Sequence, residues 1–301
     1  MTSSVAPTET DVAAAATRIR PYVRRTPLLD VEVEGRPVVF KLEHLQRTGS
    51  FKLRGALNAL LAGPLPELVV TASGGNHGLA VATAASLLNV PAVVYVPETV
   101  PEGKARRIEQ AGAKLVRHGA RYAEAAEAAL AAATGPGARY VPAYDDNAVI
   151  AGQGTCAAEA VADRPDVDAL VVAVGGGGLA AGTTAGSGGR LVVAVEPEGC
   201  CCLHEALAAG EPVDSAVDSV ASSALGATKV GARPFSLLRD ARSVLVSDAE
   251  LLAARDRLWD EFRLAVEPAA AAPFAAWLAG RVPGDLACVV LCGANTDWVP
   301  A

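Results

Sequence analysis

Short strand-forming runs alternate with helical stretches along most of this chain, and that rhythm narrows its possible folds more than any other feature. Helical patterns run through "DVAAAATRIRPYV" (11–23), "LRGALNALLA" (53–62), "HGLAVATAASLL" (77–88), "EGKARRIEQAG" (102–112) and "RYAEAAEAALAAA" (121–133). Between them lie the strand patterns "VVFKLE" (38–43), "ELVVTA" (67–72), "PAVVYVP" (91–97) and "AKLVRH" (113–118). The alternation predicts an α/β fold whose mainly parallel sheets are covered by helices on both faces. The later strands "DALVVAVGGGG", "RLVVAVEPEG" and "LACVVLCGANTD" each run into a glycine-bearing or polar loop. In open α/β sheets, ligands bind at that carboxyl end.

The chain has 301 residues, enough for one large domain or two interleaved ones. A net charge of −7, with aromatics at 4%, argues against a nucleic-acid partner or an acidic membrane surface. The N-terminus has no signal-like apolar run and no later stretch offers about 18 uninterrupted apolar residues, so a soluble, cytoplasmic protein is expected. Six irregularly spaced cysteines match neither a disulfide framework nor a C-x-x-C metal pattern, and read as buried thiols.

Four loops carry the chemistry. "GSFKLRG" (49–55) sets Lys52 behind a glycine, a serine and Phe51. "TASGGNHGLA" (71–80) runs from a strand through Gly74 and Gly75 into a helix, with Ser73, Asn76 and His77 as polar groups. Its backbone amides and helix start suit a carboxylate, although a plain strand-to-helix turn with a solvated or capping His77 fits as well. "VGGGGLAAG" (174–182) offers a phosphate cradle without side chains. Taken alone, its Gly175, Gly177 and Ala180 also fit a dinucleotide fingerprint, with Glu196 about 20 residues on, which would make the protein a nicotinamide-dependent oxidoreductase. "LCGANTD" (291–297) places Cys292 at a strand end, where a simple buried thiol is the commoner case.

Together, and in this order, the four loops resemble those of the fold-type II pyridoxal-phosphate enzymes, specifically the serine/threonine dehydratase and serine racemase group. "RTPLL" (25–29), "AVIAGQGT" (148–155), "SVASSALGATKVG" (219–231) and "VEPAAAA" (266–272) match as well, so the resemblance spans about Arg25 to Asp297. It implies two open, mainly parallel twisted sheets of the tryptophan synthase beta-like kind. Residues 1–67 and 146–301 would form a large cofactor-binding domain, with 68–145 inserted as a smaller one.

The resemblance also assigns roles. Lys52 would carry pyridoxal 5′-phosphate as the Schiff-base lysine, with Phe51 beside the ring, and would then act as the catalytic base. Asn76 would meet the ring's 3′-oxygen, Gly175, Gly176, Gly177, Gly178 and Leu179 the phosphate, and Cys292 the pyridine nitrogen. The segment Ser73, Gly74, Gly75, Asn76 and His77 would dock the carboxylate of an amino-acid substrate. The implied reaction is β-elimination from L-threonine or L-serine to a 2-oxo acid and ammonia, by a homodimer. The alternatives are a serine racemase or a dehydratase of another β-hydroxy amino acid such as hydroxyaspartate. Two departures stand out. Racemases of the group carry a second hydroxyl base where this chain has Gly74, and the group's cation site, matching Glu196 and the carbonyl of Cys200, has Cys202 in place of an oxygen ligand. A potassium-like monovalent ion fits such a shell better than a hard divalent one. The bland alternative is that Glu196 is a solvated strand end without an ion.

Overall fold

The computed structural model describes residues 6–298. The strands are β1 (Leu28–Val33), β2 (Arg36–Lys41), β3 (Leu68–Ala72), β4 (Ala92–Val96), β5 (Lys114–Arg117), β6 (Ala138–Tyr140), β7 (Ala169–Ala173), β8 (Leu191–Pro197), β9 (Arg242–Val246) and β10 (Ala287–Val290). They form a six-stranded sheet in the order β1-β2-β10-β7-β8-β9 and a four-stranded sheet in the order β5-β4-β3-β6. Every pairing is parallel except β1 with β2. Strands β7 and β10 are buried along their whole length, as sheets covered on both faces demand.

The pattern of alternation places a strand over 38–43, overlapping β2, but misses β1 and the hairpin that joins the two. Val33 pairs with Arg36, so only Glu34 and Gly35 turn the chain, and both have positive φ (55° and 74°). A two-residue turn of that hand matches the twist of its strands. The first helix is also shorter than its pattern, Glu9–Ile19 instead of reaching residue 23. Pro21 has no amide to continue the ladder.

The helix Lys52–Leu61 is held to the large sheet by a buried ionic cluster. Arg54 donates to Glu43 (Nε to Oε1, 2.6 Å) and to Glu159 (Nη2 to Oε2, 2.8 Å), and Lys41 donates to Glu159 (2.8 Å) and to the Thr26 carbonyl (2.7 Å). Arg54, Glu43 and Lys41 have no exposure at all. Each charge is compensated on more than one side, the condition under which buried ion pairs hold a structure together. The cluster fixes the helix two residues beyond Lys52, and all four candidate loops leave their strands at the carboxyl ends.

Candidate active site

Lys52 opens its helix with Phe51 as the preceding cap residue. Two contacts stitch this turn to the Cys292 loop: the Phe51 amide donates to the Cys292 carbonyl (3.0 Å), and Ser50 bridges Gly293. The Lys52 Nζ donates to the Ala143 carbonyl (2.9 Å) and stands 5.1 Å from the centre of the Phe51 ring. Desolvation brings its pKa down from 10.5 to about 8, against the opposing pull of Cys292 and Glu267. Burial pushes the Cys292 thiol far up, so it stays neutral.

The glycine loop follows β7. Gly177 caps the helix Gly178–Gly186 with φ +91°, a conformation that favours glycine, and the first intrahelical bond runs from the Ala181 amide to the Gly177 carbonyl. The amides of Gly178 and Leu179 therefore lie in the unpaired first turn. A methyl at Gly176 would sit 2.3 Å from the Tyr144 ring, and one at Gly178 would sit 2.9 Å from its Cβ. Only bare backbone fits here. The Leu179 side chain turns into the core, leaving its amide as the group it can offer.

On the facing loop, the Gly75 amide donates to Ser73 Oγ (3.2 Å) and the helix Asn76–Leu87 begins immediately after. Asn76 donates to Glu267 Oε1 (2.8 Å) and accepts from Asn295 Nδ2 (2.7 Å), which also donates to the Thr48 carbonyl (2.8 Å). This chain of amides ties the Asn76, Lys52 and Cys292 loops into one site. His77 is not solvated and does not cap: it is 5% exposed, and its Nε2 lies 3.0 Å from the Val141 carbonyl. Since a carbonyl can only accept, Nε2 carries the proton. Burial and the nearby Lys52 lower its pKa to about 3, so the ring is neutral. Gly74 has a specific reason to be glycine, because a Cβ there would stand 2.6 Å from Val100 Cγ2.

Glu196 ends β8 but is fully buried, contrary to the reading of a solvated strand end. Its oxygens accept from the Leu203 and His204 amides, each at 2.8 Å, at the start of the helix Cys202–Ala209. Burial raises its pKa to about 7. With no exposure, the carboxylate is out of reach of a ribose, which removes the residue that the dinucleotide reading required. Cys202 donates its thiol to the Gly175 carbonyl (3.3 Å), linking this helix to the glycine loop. Cys200 is buried beside it, with its amide bound to the Pro197 carbonyl (2.9 Å).

Glu267, Asn295, Tyr144 and Ala143 belong to the site without having been singled out from the sequence. Glu267 and Asn295 lie in the matched stretches "VEPAAAA" and "CGANTD", where a lone carboxylate and amide were the available signal. Burial raises the Glu267 pKa to about 7, opposed by the Asn76 hydrogen bond and the charge of Lys104. A cavity of about 380 Å³, lined by Tyr122, Tyr140 and Lys229 among others, touches the site at Ala143 and Tyr144. A desolvated amine, a helix-start cradle that any Cβ would fill and a neutral buried thiol fit pyridoxal phosphate: Lys52, the loop 175–179 and Cys292 would hold it.

Comparison with known proteins agrees with this chemistry. The family model "Pyridoxal-phosphate dependent enzyme" matches residues 19–293. An L-threonine ammonia-lyase of Geobacter sulfurreducens is 38% identical, over 95% of this chain and 75% of that protein. A serine racemase of Arabidopsis thaliana is 31% identical, over 95% and 92%. The crystal structure of T.th. threonine deaminase superposes with a TM-score of 0.92 at 36% identity, covering 98% of this chain and 100% of that one. The chain therefore belongs to the fold-type II pyridoxal-phosphate-dependent enzymes of the serine/threonine dehydratase family.

Proposed function

We propose that the protein is an ammonia-lyase that converts L-threonine, L-serine or both to 2-oxobutanoate or pyruvate and ammonia. The observation that carries this reading is a single desolvated amine, Lys52, in a site whose opposite loop bears glycine at position 74. Bound pyridoxal phosphate would supply an electron sink for the charge that develops at the substrate's α-carbon. With a pKa of about 8, the free Lys52 amine is basic enough to take the α-proton and is partly neutral near physiological pH. The amides around Asn76 and His77 would hold the substrate carboxylate, and those of Gly178 and Leu179 the cofactor phosphate.

Cys292, held as a neutral thiol, is a weak partner for a pyridine nitrogen and would not keep it protonated. That favours prompt loss of the β-hydroxyl over a long-lived carbanion. Gly74 cannot return a proton from the far face, so elimination exceeds racemisation. The proposal includes a monovalent cation such as K⁺ near Glu196 and the Cys200 carbonyl. A single buried carboxylate supports it, since divalent ions gain from several carboxylates.

The test is release of 2-oxo acid and ammonia by the cofactor-loaded protein from both enantiomers of serine, threonine and other β-hydroxy amino acids. Equimolar pyruvate and ammonia from L-serine, or 2-oxobutanoate and ammonia from L-threonine, are the expected products. No 2-oxo acid from any of them, or D-serine as the main product of L-serine, would overturn the proposal.

A further inference from the structure

Glu267 is a buried carboxylate that nothing in the proposed elimination uses. Glu43 and Glu159 are each paired with Arg54, whereas Glu267 Oε1 accepts from the neutral amide of Asn76 at 2.8 Å. Its own amide donates to the Gly293 carbonyl (3.1 Å), and a methyl at Gly293 would stand 2.3 Å from Oε1. The carboxylate is thus pressed against the loop that carries Cys292. Burying a carboxylate beside a neutral partner costs stability.

Its partner has only one orientation. The Thr48 carbonyl can only accept, so the Asn295 atom 2.8 Å from it is the amide nitrogen. The second hydrogen of that nitrogen goes to Asn76 at 2.7 Å, which makes the receiving atom Oδ1 and sets Nδ2 against Glu267. A flipped Asn76 would face nitrogen with nitrogen and carboxylate with oxygen. These bonds leave one Asn76 N–H, so what the side chain can offer a cofactor is a donor. Charge couples Glu267 to Lys52 as well: desolvation lowers the Lys52 pKa and raises that of Glu267, and the charge of each opposes the shift of the other. Lys104, on the helix Glu102–Gln110, adds a further cation toward Glu267, and Arg107, which lines the same pocket, is paired with Asp297 at 3.4 Å. On the remaining side stands the Cys292 thiol, which burial and the charge of Glu267 both keep neutral.

We infer that Glu267 is a positioning residue with two separable tasks: its oxygen keeps Asn76 a hydrogen-bond donor to the cofactor's 3′-oxygen, and its negative charge favours the proton on Lys52 Nζ when that nitrogen carries the cofactor. The inference rests on the roles proposed for Lys52 and Asn76, and it holds for whichever β-hydroxy amino acid is the substrate. A proton on that nitrogen makes the adjoining carbon more open to attack by the substrate's amine. Glu267 therefore assists the displacement of Lys52 without touching the substrate.

The experiment needs no turnover. The visible absorption of the cofactor-loaded protein is titrated with pH, and the cofactor dissociation constant is measured, for the unmodified protein, Lys52→Ala, Glu267→Gln and Glu267→Ala. The visible band should be lost in Lys52→Ala. Glutamine keeps an oxygen for Asn76 but no charge, so Glu267→Gln should hold the dissociation constant within about twofold and move the midpoint of the titration down by about one pH unit, because a proton is released sooner once a nearby negative charge is gone. Glu267→Ala should show the same shift and bind the cofactor about tenfold more weakly, since the acceptor for Asn76 is lost too. A band that survives Lys52→Ala overturns the assignment of Lys52 and this inference with it. A band lost there, but with the same titration in Glu267→Gln as in the unmodified protein or with no titration in either, overturns this inference alone. Unchanged cofactor affinity in Glu267→Ala overturns the task given to its oxygen.

Discussion

Lys52 should destabilise the cofactor-free protein at neutral pH. Its pKa falls from 10.5 to about 8 in the folded state, which corresponds to about 3 kcal/mol between its charged and neutral forms. The residue keeps intermediate exposure, so about 2 kcal/mol is a fair discounted value. The sign follows from proton linkage. Between about pH 8 and 10.5 the unfolded lysine is protonated and the folded one is not, so stability rises with pH there, and below pH 8 the full penalty of burying the charge remains. Lys52→Met removes that penalty but also the hydrogen bond to the Ala143 carbonyl, worth about 1 kcal/mol. At pH 7 the cofactor-free variant should therefore be more stable than the unmodified protein by about 1 kcal/mol. By pH 9.5 the advantage should shrink to near zero, because about half of the penalty has by then been relieved. Urea unfolding of both proteins at the two pH values measures the difference, in which titrations not coupled to Lys52 cancel. An advantage that is the same at both values, or a variant less stable at pH 7, would refute the desolvated-amine account of Lys52.

Two further outcomes follow from the site. Gly74→Ser alone should lose about 1–3 kcal/mol of stability by overpacking against Val100, whose Cγ2 lies 2.6 Å from the new Cβ position. Val100→Ala should relieve the clash, so the double variant, assayed by chiral chromatography, should form more D-serine from L-serine than the unmodified protein; equal amounts would contradict the role given to Gly74. Replacing a bulky organic cation with potassium should raise activity, divalent chelators should leave it unchanged, and Glu196→Ala should abolish the potassium response. Activity lost to a chelator and restored by magnesium would show the cation reading to be wrong.

The sequence by itself determined the alternation of strands and helices, the position of Lys52 ahead of a helix, and the glycine loop between β7 and its helix. These are local matters: residue periodicity and backbone freedom act over a few neighbours, so they are legible without knowing where the chain goes next. It could not determine the direction of side chains that answer to distant partners. His77 looked available for a ligand, but the Val141 carbonyl, 64 positions away, claims its ring. Glu196 looked solvated or free for a ribose, but the start of the following helix buries it and takes both oxygens. The same limit hid Glu267 and Asn295, whose significance comes from hydrogen bonds that reach Asn76 across 191 and 219 residues. Desolvation is a property of the assembled surroundings. Only the tertiary structure could bring the pKa of one of the chain's lysines down to about 8.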